Sequence, residues 1–215
     1  MIMQRALYRV LRFSLILGSL LLALSGQARA NEQKILVLGD SISAAYGMSL
    51  EQGWVAQLAN TLREQEPPYT VVNASISGET TGGGLRRLPA LLQEHNPGLV
   101  IIELGANDGL RGFPLQTLAG NLTQLVTLSQ DNGAKVILLP MEIPPNYGPR
   151  YTKGFRETFQ SVAAATDSVL APFLLNDIAT DPKLMQADGL HPTVEAQPLI
   201  LQNVLPAVTD VLADS

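Results

Sequence analysis

The chain has 215 residues, a formal net charge of −5 and no Cys. This length suits one domain or at most two small ones. Without Cys there can be no thiol nucleophile, no disulfide and no lipid-anchored Cys, and with only two His, His95 and His191, a His-rich metal site is excluded.

The first thirty residues have the features of a cleavable secretion signal. A basic start with three Arg precedes a mostly apolar run at 13–24, and residues 28–30 (ARA) form a signal peptidase motif. We predict cleavage after Ala30, a mature domain at 31–215, and a periplasmic or secreted protein. An uncleaved anchor is the weaker interpretation, because twelve residues are short against the about 20 that span a bilayer. Cleavage changes the net charge to −9, so nucleic acid is not an expected partner.

Short apolar runs alternate with amphipathic stretches along the rest of the chain. Their β-branched composition is typical of strands buried on both faces of a parallel sheet. The predicted strands are 34–38, 70–74, 99–104, 134–139 and 169–174. A closing helix is predicted near 195–212 and an exposed loop at 146–153. The alternation predicts an α/β protein with a single domain and helices on both faces of the sheet.

Four polar, glycine-containing turns follow predicted strands. In an open α/β sheet, ligands bind beyond the carboxyl ends of the strands, so these turns should gather at one edge. The turns are residues 39–43 (GDSIS), 75–80 (SISGET), 105–109 (GANDG) and 188–192 (DGLHP). Together they supply a hydroxyl, carboxylates, an imidazole, an amide and free backbone N–H groups, which is the inventory of a serine-hydrolase site.

Ser41, His191 and Asp188 are the candidate catalytic triad. Ser41 follows the first strand at a turn that we expect to lead into a helix, whose N-terminus would favour the alkoxide, although a Ser in this place is often only a helix cap. His191 would accept the Ser41 proton, and Asp188 would orient the imidazole. The alternative for residues 188–192 is a surface turn. His95 is better interpreted as a solvated residue at a helix C-terminus.

Three donors are candidates for the oxyanion hole: the N–H of Ser41, the N–H of Gly78 and the side-chain amide of Asn107. A turn that needs positive φ explains Gly78 equally well, and a loop cap explains Asn107 equally well. Asp40 and Asp108 are interpreted as carboxylates that brace their loops by accepting backbone N–H groups.

The order of these motifs resembles the SGNH, or GDSL-type, hydrolase family, whose four blocks contribute Ser, Gly, Asn and His. The G-x-S-x-G elbow of the α/β-hydrolases is absent around Ser41. Residues 72–78, 87–92, 107–112, 145–148 and 185–192 are similar to a bacterial periplasmic branch that includes thioesterases and arylesterases. The resemblance implies a flavodoxin-like three-layer α/β/α fold, no cofactor and no metal, and hydrolysis of acyl thioesters, lysophospholipids and aryl esters.

The substrates expected from this resemblance are small acyl esters and thioesters. An apolar groove for the acyl chain is predicted from Leu110, Phe113, Ile143 and Pro144. Glu142 stands where relatives have Arg, and a carboxylate there would repel anionic leaving groups such as coenzyme A. The mature protein is expected to be a monomer without stable membrane insertion.

Two other functions use parts of the same inventory. A metal-dependent phosphoesterase would place Asp40, Asp108, Asp188 and His191 around a divalent cation. An exported binding module would hold an acyl ligand without turnover, although such proteins usually close two domains on the ligand.

Overall fold

Within residues 33–65 and 68–213, which the computed structural model describes, five strands pair in parallel in one sheet. The predicted leader and its cleavage site lie outside these residues. The strands are β1 (Gln33–Gly39), β2 (Tyr69–Asn73), β3 (Leu99–Glu103), β4 (Lys135–Leu138) and β5 (Val169–Leu170). Their order is β2-β1-β3-β4-β5.

Helices cover both faces of the sheet. They are α1 (Trp54–Arg63), α2 (Thr81–His95), α3 (Ala106–Leu110), α4 (Leu115–Asp131), α5 (Pro149–Thr166) and α6 (Gln197–Ala213), with 3₁₀ turns at Leu50–Gln52 and Pro145–Tyr147. Helices α1 and α6 pack together, and α2, α4 and α5 pack in succession. The predicted three-layer α/β/α domain is therefore confirmed. In the part of the chain with described coordinates, no helix combines the length and apolar character needed to cross a bilayer.

The core is built around the two central strands. In β1 and β3, residues such as Leu36, Val37, Val100 and Ile101 have no exposed surface. Neighbouring residues pair in register, with Leu36 opposite Val100. The expectation of burial on both faces holds for these strands but is wrong for β2, which is half-buried because it forms an edge of the sheet.

Two segments differ from the sequence prediction because of proline. Strand β5 ends at Leu170 instead of reaching residue 174, since Pro172 has no N–H to donate to the ladder. The predicted loop 146–153 is only partly a loop, because α5 begins at Pro149. Proline suits the first helical position, where its missing N–H has no partner and its φ is preset.

The strand order creates a crevice between β1 and β3. The chain leaves β1 toward the face that carries α1 and leaves β3 toward the face that carries α4, so the two connections diverge. At such a switch point a ligand can reach the carboxyl ends of the two strands. Ser41 follows β1 and Asn107 follows β3, so the fold brings two predicted site residues to this crevice.

Candidate active site

Ser41 lies in a tight turn immediately after β1. Residues 41–47 form successive turns instead of a helix, because Ala45 and Gly47 adopt left-handed φ values of 56° and 79°. The expectation that Ser41 opens a helix is therefore wrong, and α1 begins only at Trp54. The side chain of Ser41 is nearly buried, so the surrounding residues restrict the orientation of its Oγ.

A continuous chain of hydrogen bonds joins Ser41, His191 and Asp188. Ser41 Oγ lies 2.9 Å from His191 Nε2, and His191 Nδ1 lies 2.7 Å from Asp188 Oδ2. Because a carboxylate can only accept, the proton of neutral His191 resides on Nδ1, which leaves Nε2 free to accept the hydroxyl of Ser41. The fold thus brings together residues that are 150 positions apart in the chain.

Asp188 is held by its own loop. Its Oδ1 accepts the N–H groups of Leu190 at 2.9 Å and His191 at 3.0 Å, across a turn in which Gly189 has a φ of 66°. Burial acts to raise the pKa of Asp188, but hydrogen bonds from His191 and the two backbone N–H groups outweigh it and lower that pKa to about 2. Asp188 is therefore an anion at neutral pH.

The loop that carries Asp188 and His191 is tied to the Ser41 turn by two residues that the sequence analysis did not identify. The Gln186 side chain donates to the carbonyl oxygens of Tyr46 and Pro192, at 2.9 Å each. The ring of Tyr46 stacks on His191 with 4.2 Å between centroids. No local pattern distinguishes these two residues from ordinary turn residues, because their partners are distant in the chain.

The predicted oxyanion donors lie on the loops after β1, β2 and β3. Neither the Ser41 N–H nor the Gly78 N–H donates to an acceptor among residues 33–65 and 68–213. Gly78 has a φ of 78°, and its carbonyl accepts Arg111 Nη2 at 3.0 Å. Asn107 Nδ2 donates to Asp40 Oδ2 at 3.1 Å, which leaves its second N–H for a ligand. Three strand-end loops therefore offer donors at one edge of the sheet.

Two buried carboxyl groups lie beneath Ser41. Asp40 is 1% exposed and Glu103 is 0% exposed. Asp40 Oδ1 accepts the N–H of Ile42 at 3.1 Å, which confirms the predicted bracing role. Burial raises the pKa of Asp40 to about 6, and burial together with the charge of Asp40 raises the pKa of Glu103 well above its ordinary value. Glu103 was not identified from the sequence, although a lone acid within the apolar run 99–104 is an unusual feature.

A cavity of about 150 Å³ opens beside Ser41 and His191. Leu110 and Pro144 line it as predicted, and Met141, Phe173, Leu175 and Leu190 complete its apolar surface. The structure places two predicted groove residues elsewhere. Ile143 is buried against Gly109, and a Cβ added at Gly109 would lie 2.6 Å from Ile143 Cγ2. Phe113 is exposed and is not among the residues that line the cavity.

Glu142 also borders the cavity, but its charge is partly compensated. Arg156 Nη1 lies 3.6 Å from Glu142 Oε1, and both side chains are substantially exposed. Solvent and this partner weaken the repulsion that Glu142 exerts on an anionic leaving group. Glu142 should therefore disfavour anionic leaving groups less than the sequence alone suggests.

His95 lies at the opposite edge of the sheet from the Ser41 turn. It is the last residue of α2, which runs from the carboxyl edge of the sheet back to the amino edge over about 22 Å. Its Nε2 is 3.9 Å from Glu94 Oε1, and its side chain is 21% exposed. Its position at the helix C-terminus agrees with the prediction, although it is less solvated than expected.

The four residues of the phosphoesterase alternative do not assemble into a cation site. Asp108 is occupied by Thr81, whose N–H and hydroxyl both donate to its carboxylate, which confirms its bracing role. Across the described ranges, no group of three or more potential His, Asp or Glu ligands is close enough to hold a metal ion.

Comparison with known proteins identifies the family. Residues 37–198 match the GDSL-like lipase/acylhydrolase family. The chain is 49% identical to Esterase TesA of Pseudomonas aeruginosa, over 94% of this chain and 100% of that protein. It is 43% identical to thioesterase 1/protease 1/lysophospholipase L1 of Escherichia coli, over 77% of this chain and 78% of that protein.

A solved structure extends the similarity to three dimensions. The psychrotrophic esterase EstA from a Pseudoalteromonas species, inhibited by monoethylphosphonate, superposes with a TM-score of 0.79 at 48% identity. The match covers 84% of this chain and 99% of that one. The resemblance noted from the sequence is thereby confirmed. In sequence and in fold, the chain belongs to the GDSL-like lipase/acylhydrolase family and is a serine hydrolase.

Proposed function

We propose that this chain is an exported serine esterase that hydrolyses acyl esters and thioesters through an acyl-Ser41 intermediate. The observation that carries the proposal is the hydrogen-bonded chain from Ser41 to His191 at 2.9 Å and from His191 to Asp188 at 2.7 Å. Export rests on the sequence of residues 1–30. Relatives named as esterase and thioesterase support the choice of ester and thioester substrates.

In the first half of the reaction, His191 Nε2 takes the proton of Ser41 while Oγ attacks the acyl carbon. Asp188 stabilises the imidazolium that forms, because it is anionic and hydrogen-bonded to Nδ1. His191 then gives the proton to the departing alkoxide or thiolate. The leaving group departs as an alcohol or thiol, and the acyl group stays on Ser41.

In the second half, water replaces the leaving group. His191 takes a proton from the water molecule as it attacks the acyl carbon, and then returns that proton to Ser41 Oγ. In both halves the former carbonyl oxygen becomes an oxyanion. The N–H of Ser41, the N–H of Gly78 and the free N–H of Asn107 would stabilise this charge, since none of them has a protein acceptor in the described residues.

The acyl chain would lie in the apolar cavity beside Ser41, against Leu110 and Pro144. The apolar part of this surface suits hydrocarbon and offers no cationic group to an anionic substrate, so uncharged aryl and acyl esters are the preferred class. Acyl-coenzyme A thioesters and lysophospholipids carry phosphate groups that Glu142 would disfavour, and the contact with Arg156 limits that effect. Activity on these substrates is therefore proposed to be weaker, not absent.

Mutation of Ser41 gives the largest expected effect and tests the proposal. Ser41→Ala should lower kcat for p-nitrophenyl butyrate by about 10⁶, as removal of the nucleophile does in subtilisin. Ser161→Ala, an exposed substitution on α5, is the matched control and should keep wild-type turnover. A fluorophosphonate should label the wild type and Ser161→Ala at one site and should not label Ser41→Ala.

A chelator separates this proposal from the metal-dependent alternative. Turnover should persist after treatment with EDTA, whereas a phosphoesterase that depends on a divalent cation would lose its activity. Normal turnover in Ser41→Ala, or inactivation by EDTA with no labelling by the fluorophosphonate, would contradict the proposed function.

A further inference from the structure

Glu103, the last residue of β3, has an unequal distribution of hydrogen bonds. Its Oε2 accepts the Asp40 N–H at 3.1 Å and the Ser43 hydroxyl at 2.7 Å. Its Oε1 is buried and has no partner among the residues that the structure describes. A charged oxygen in this position would lack any donor, which is unfavourable in an apolar interior. A protonated carboxyl group has a hydrogen to donate, and the side chains of Glu103 and Asp40 share a hydrogen bond in which Asp40 can accept it.

The sequence makes room for Glu103 to reach across the sheet. Gly39 pairs with Glu103 in the register between β1 and β3. A Cβ at Gly39 would lie 2.6 Å from Glu103 Oε2 and 2.8 Å from Ser43 Oγ, so only glycine leaves space for the carboxyl group to pass. The glycine that precedes Asp40 and Ser41 thus serves the placement of Glu103 beneath the nucleophile turn.

The two buried acids differ in how well their charges are stabilised. For Asp40, burial raises the pKa, while the Ile42 N–H, Glu103, His191 and the Asn107 amide act to lower it. For Glu103, burial and the charge of Asp40 both raise the pKa. Glu103 has Asp40 as its titratable neighbour, and Asp40 has Glu103 and His191. These neighbours favour a state in which Asp40 and Glu103 share one proton at neutral pH.

The Asn107 amide needs a defined orientation to serve an oxyanion. Its two ends have nearly the same shape, but only the NH₂ end can donate. An anionic Asp40 accepts from Nδ2 at 3.1 Å and so keeps the amide nitrogen on the side of the crevice. If Asp40 carried a proton, it could instead donate to the amide oxygen and reverse this preference.

We propose that Glu103 is a positioning residue that retains a proton at neutral pH and donates it toward Asp40, which keeps Asp40 anionic and the Asn107 amide directed at the oxyanion. This inference rests on the proposed function for its catalytic meaning. The location of the proton can be tested without any turnover. Glu103 touches no reacting atom, and it acts through Asp40 and Asn107.

Infrared spectroscopy measures the proton directly. Wild-type protein at pH 7 should show the carbonyl stretching band of a buried protonated carboxylic acid, shifted in deuterium oxide. The band should vanish in Glu103→Gln and persist in Glu94→Gln, a control whose side chain is 72% exposed. Absence of the band in the wild type would overturn the inference. So would a band that survives Glu103→Gln but is lost in Asp40→Asn, since the proton would then reside on Asp40.

Turnover tests the positioning role. Glu103→Leu removes the oxygen that accepts the Asp40 N–H and also the proton donated toward the Asp40 side chain. The variant should lower kcat on the order of tenfold with little change in KM. Glu103→Gln keeps an acceptor and an N–H donor, so it should recover most of that loss. The wild type should lose kcat at alkaline pH as Glu103 ionises, and Glu103→Gln should lack this decline because its amide does not titrate.

The outcomes separate this inference from the proposed function. An unchanged alkaline decline in Glu103→Gln, or equal losses in the Gln and Leu variants, would overturn the positioning role while leaving Ser41 labelling intact. Conversely, failure of the fluorophosphonate to label Ser41 would refute the proposed function and leave the infrared result standing. If Glu103→Leu does not fold, the infrared band and the pH profile of Glu103→Gln decide.

Discussion

Two acidic regions adjoin Ser41, and their physical settings are opposite. Asp188 lies on a loop with its side chain 39% exposed, and hydrogen bonds bring its pKa down to about 2. Asp40 and Glu103 lie beneath the sheet edge with almost no exposure, and burial raises the pKa of both. The surface carboxyl group is thus an anion at neutral pH, whereas the two buried carboxyl groups share a proton.

The difference shows that burial raises the pKa of a carboxyl group unless hydrogen bonds to its oxygens outweigh it, as they do for Asp188 but not for Asp40 or Glu103. Asp188 has two backbone N–H groups and an imidazole for its two oxygens. Glu103 receives donors on only one oxygen. The surface region therefore provides a fixed charge for His191, whereas the buried region orients a neighbouring amide.

Replacing Asp188 should have the largest effect in this comparison. In Asp188→Asn the amide donates toward Nδ1 or leaves it unpaired, which favours the wrong tautomer of His191. The expected fall in kcat is about 10⁴, the value known for the equivalent change in trypsin. The measurement is kcat for p-nitrophenyl butyrate, with Asp131→Asn, an exposed change at the end of α4, as control. A loss below tenfold would mean that the surface anion is not required.

Removing the side chain of Asn107 should have the next largest effect. Asn107→Ala deletes one oxyanion donor, so kcat should fall by about 10²–10³ while KM changes little. Asn146→Ala, an exposed change before α5, serves as control. A rise in KM at constant kcat would place Asn107 in substrate binding and would remove the purpose assigned to the buried pair.

The two regions should affect stability with opposite dependence on pH. The raised pKa of Asp40 means that the folded chain binds more protons than the unfolded chain between about pH 4 and pH 6, so the free energy of unfolding falls as pH rises through this window. Asp40→Asn should therefore gain stability relative to the wild type as pH rises, by on the order of 3 kcal/mol.

Asp188 should behave in the reverse sense. Its lowered pKa contributes stability above its unfolded value of 3.8, and this contribution is lost as pH falls toward 2. Asp188→Asn should be less stable than the wild type at pH 7, by less than about 1 kcal/mol because the group is exposed, and equal to it near pH 2. Urea unfolding across a pH series measures both variants. Slopes of the same sign would end the contrast between the two regions.

The smallest expected effect concerns the link between the loops. Gln186→Ala removes the bonds to the carbonyls of Tyr46 and Pro192, which loosens the position of His191 relative to Ser41. We expect kcat to fall about threefold to tenfold, in line with a slight misplacement of reacting groups. Gln160→Ala, exposed on α5, should have no effect. An unchanged kcat in Gln186→Ala would show that the stacking of Tyr46 suffices.

The strands and the proximity of Ser41, Asp188 and His191 could be predicted from the sequence because their signals are local. Apolar runs with β-branched residues mark the strands, and the carboxyl ends of parallel strands must share an edge. The turn containing Ser41 and the stretch from Asp188 to His191 each carry their chemistry within a few residues. The side chains of these residues were therefore expected at one place, and the fold brings them together there.

What the sequence did not reveal depends on contacts between distant residues. Glu103 reaches Asp40 only because Gly39 lies opposite it in the register of β1 and β3. Ile143 carries the apolar character of a groove residue, but packing against Gly109 places it in the core. The extent of a groove is set by how loops fold over one another, and a pattern along one segment does not contain that information.

The contact between Arg111 and Gly78 has a mechanical consequence. Arg111 follows α3 directly, and its guanidinium holds the carbonyl of Gly78 at 3.0 Å. Asn107 belongs to the same short helix, so α3 carries one proposed oxyanion donor and contacts, through Arg111, the loop that carries another, Gly78. A displacement of α3 would therefore move the Asn107 amide and disturb the Gly78 loop together.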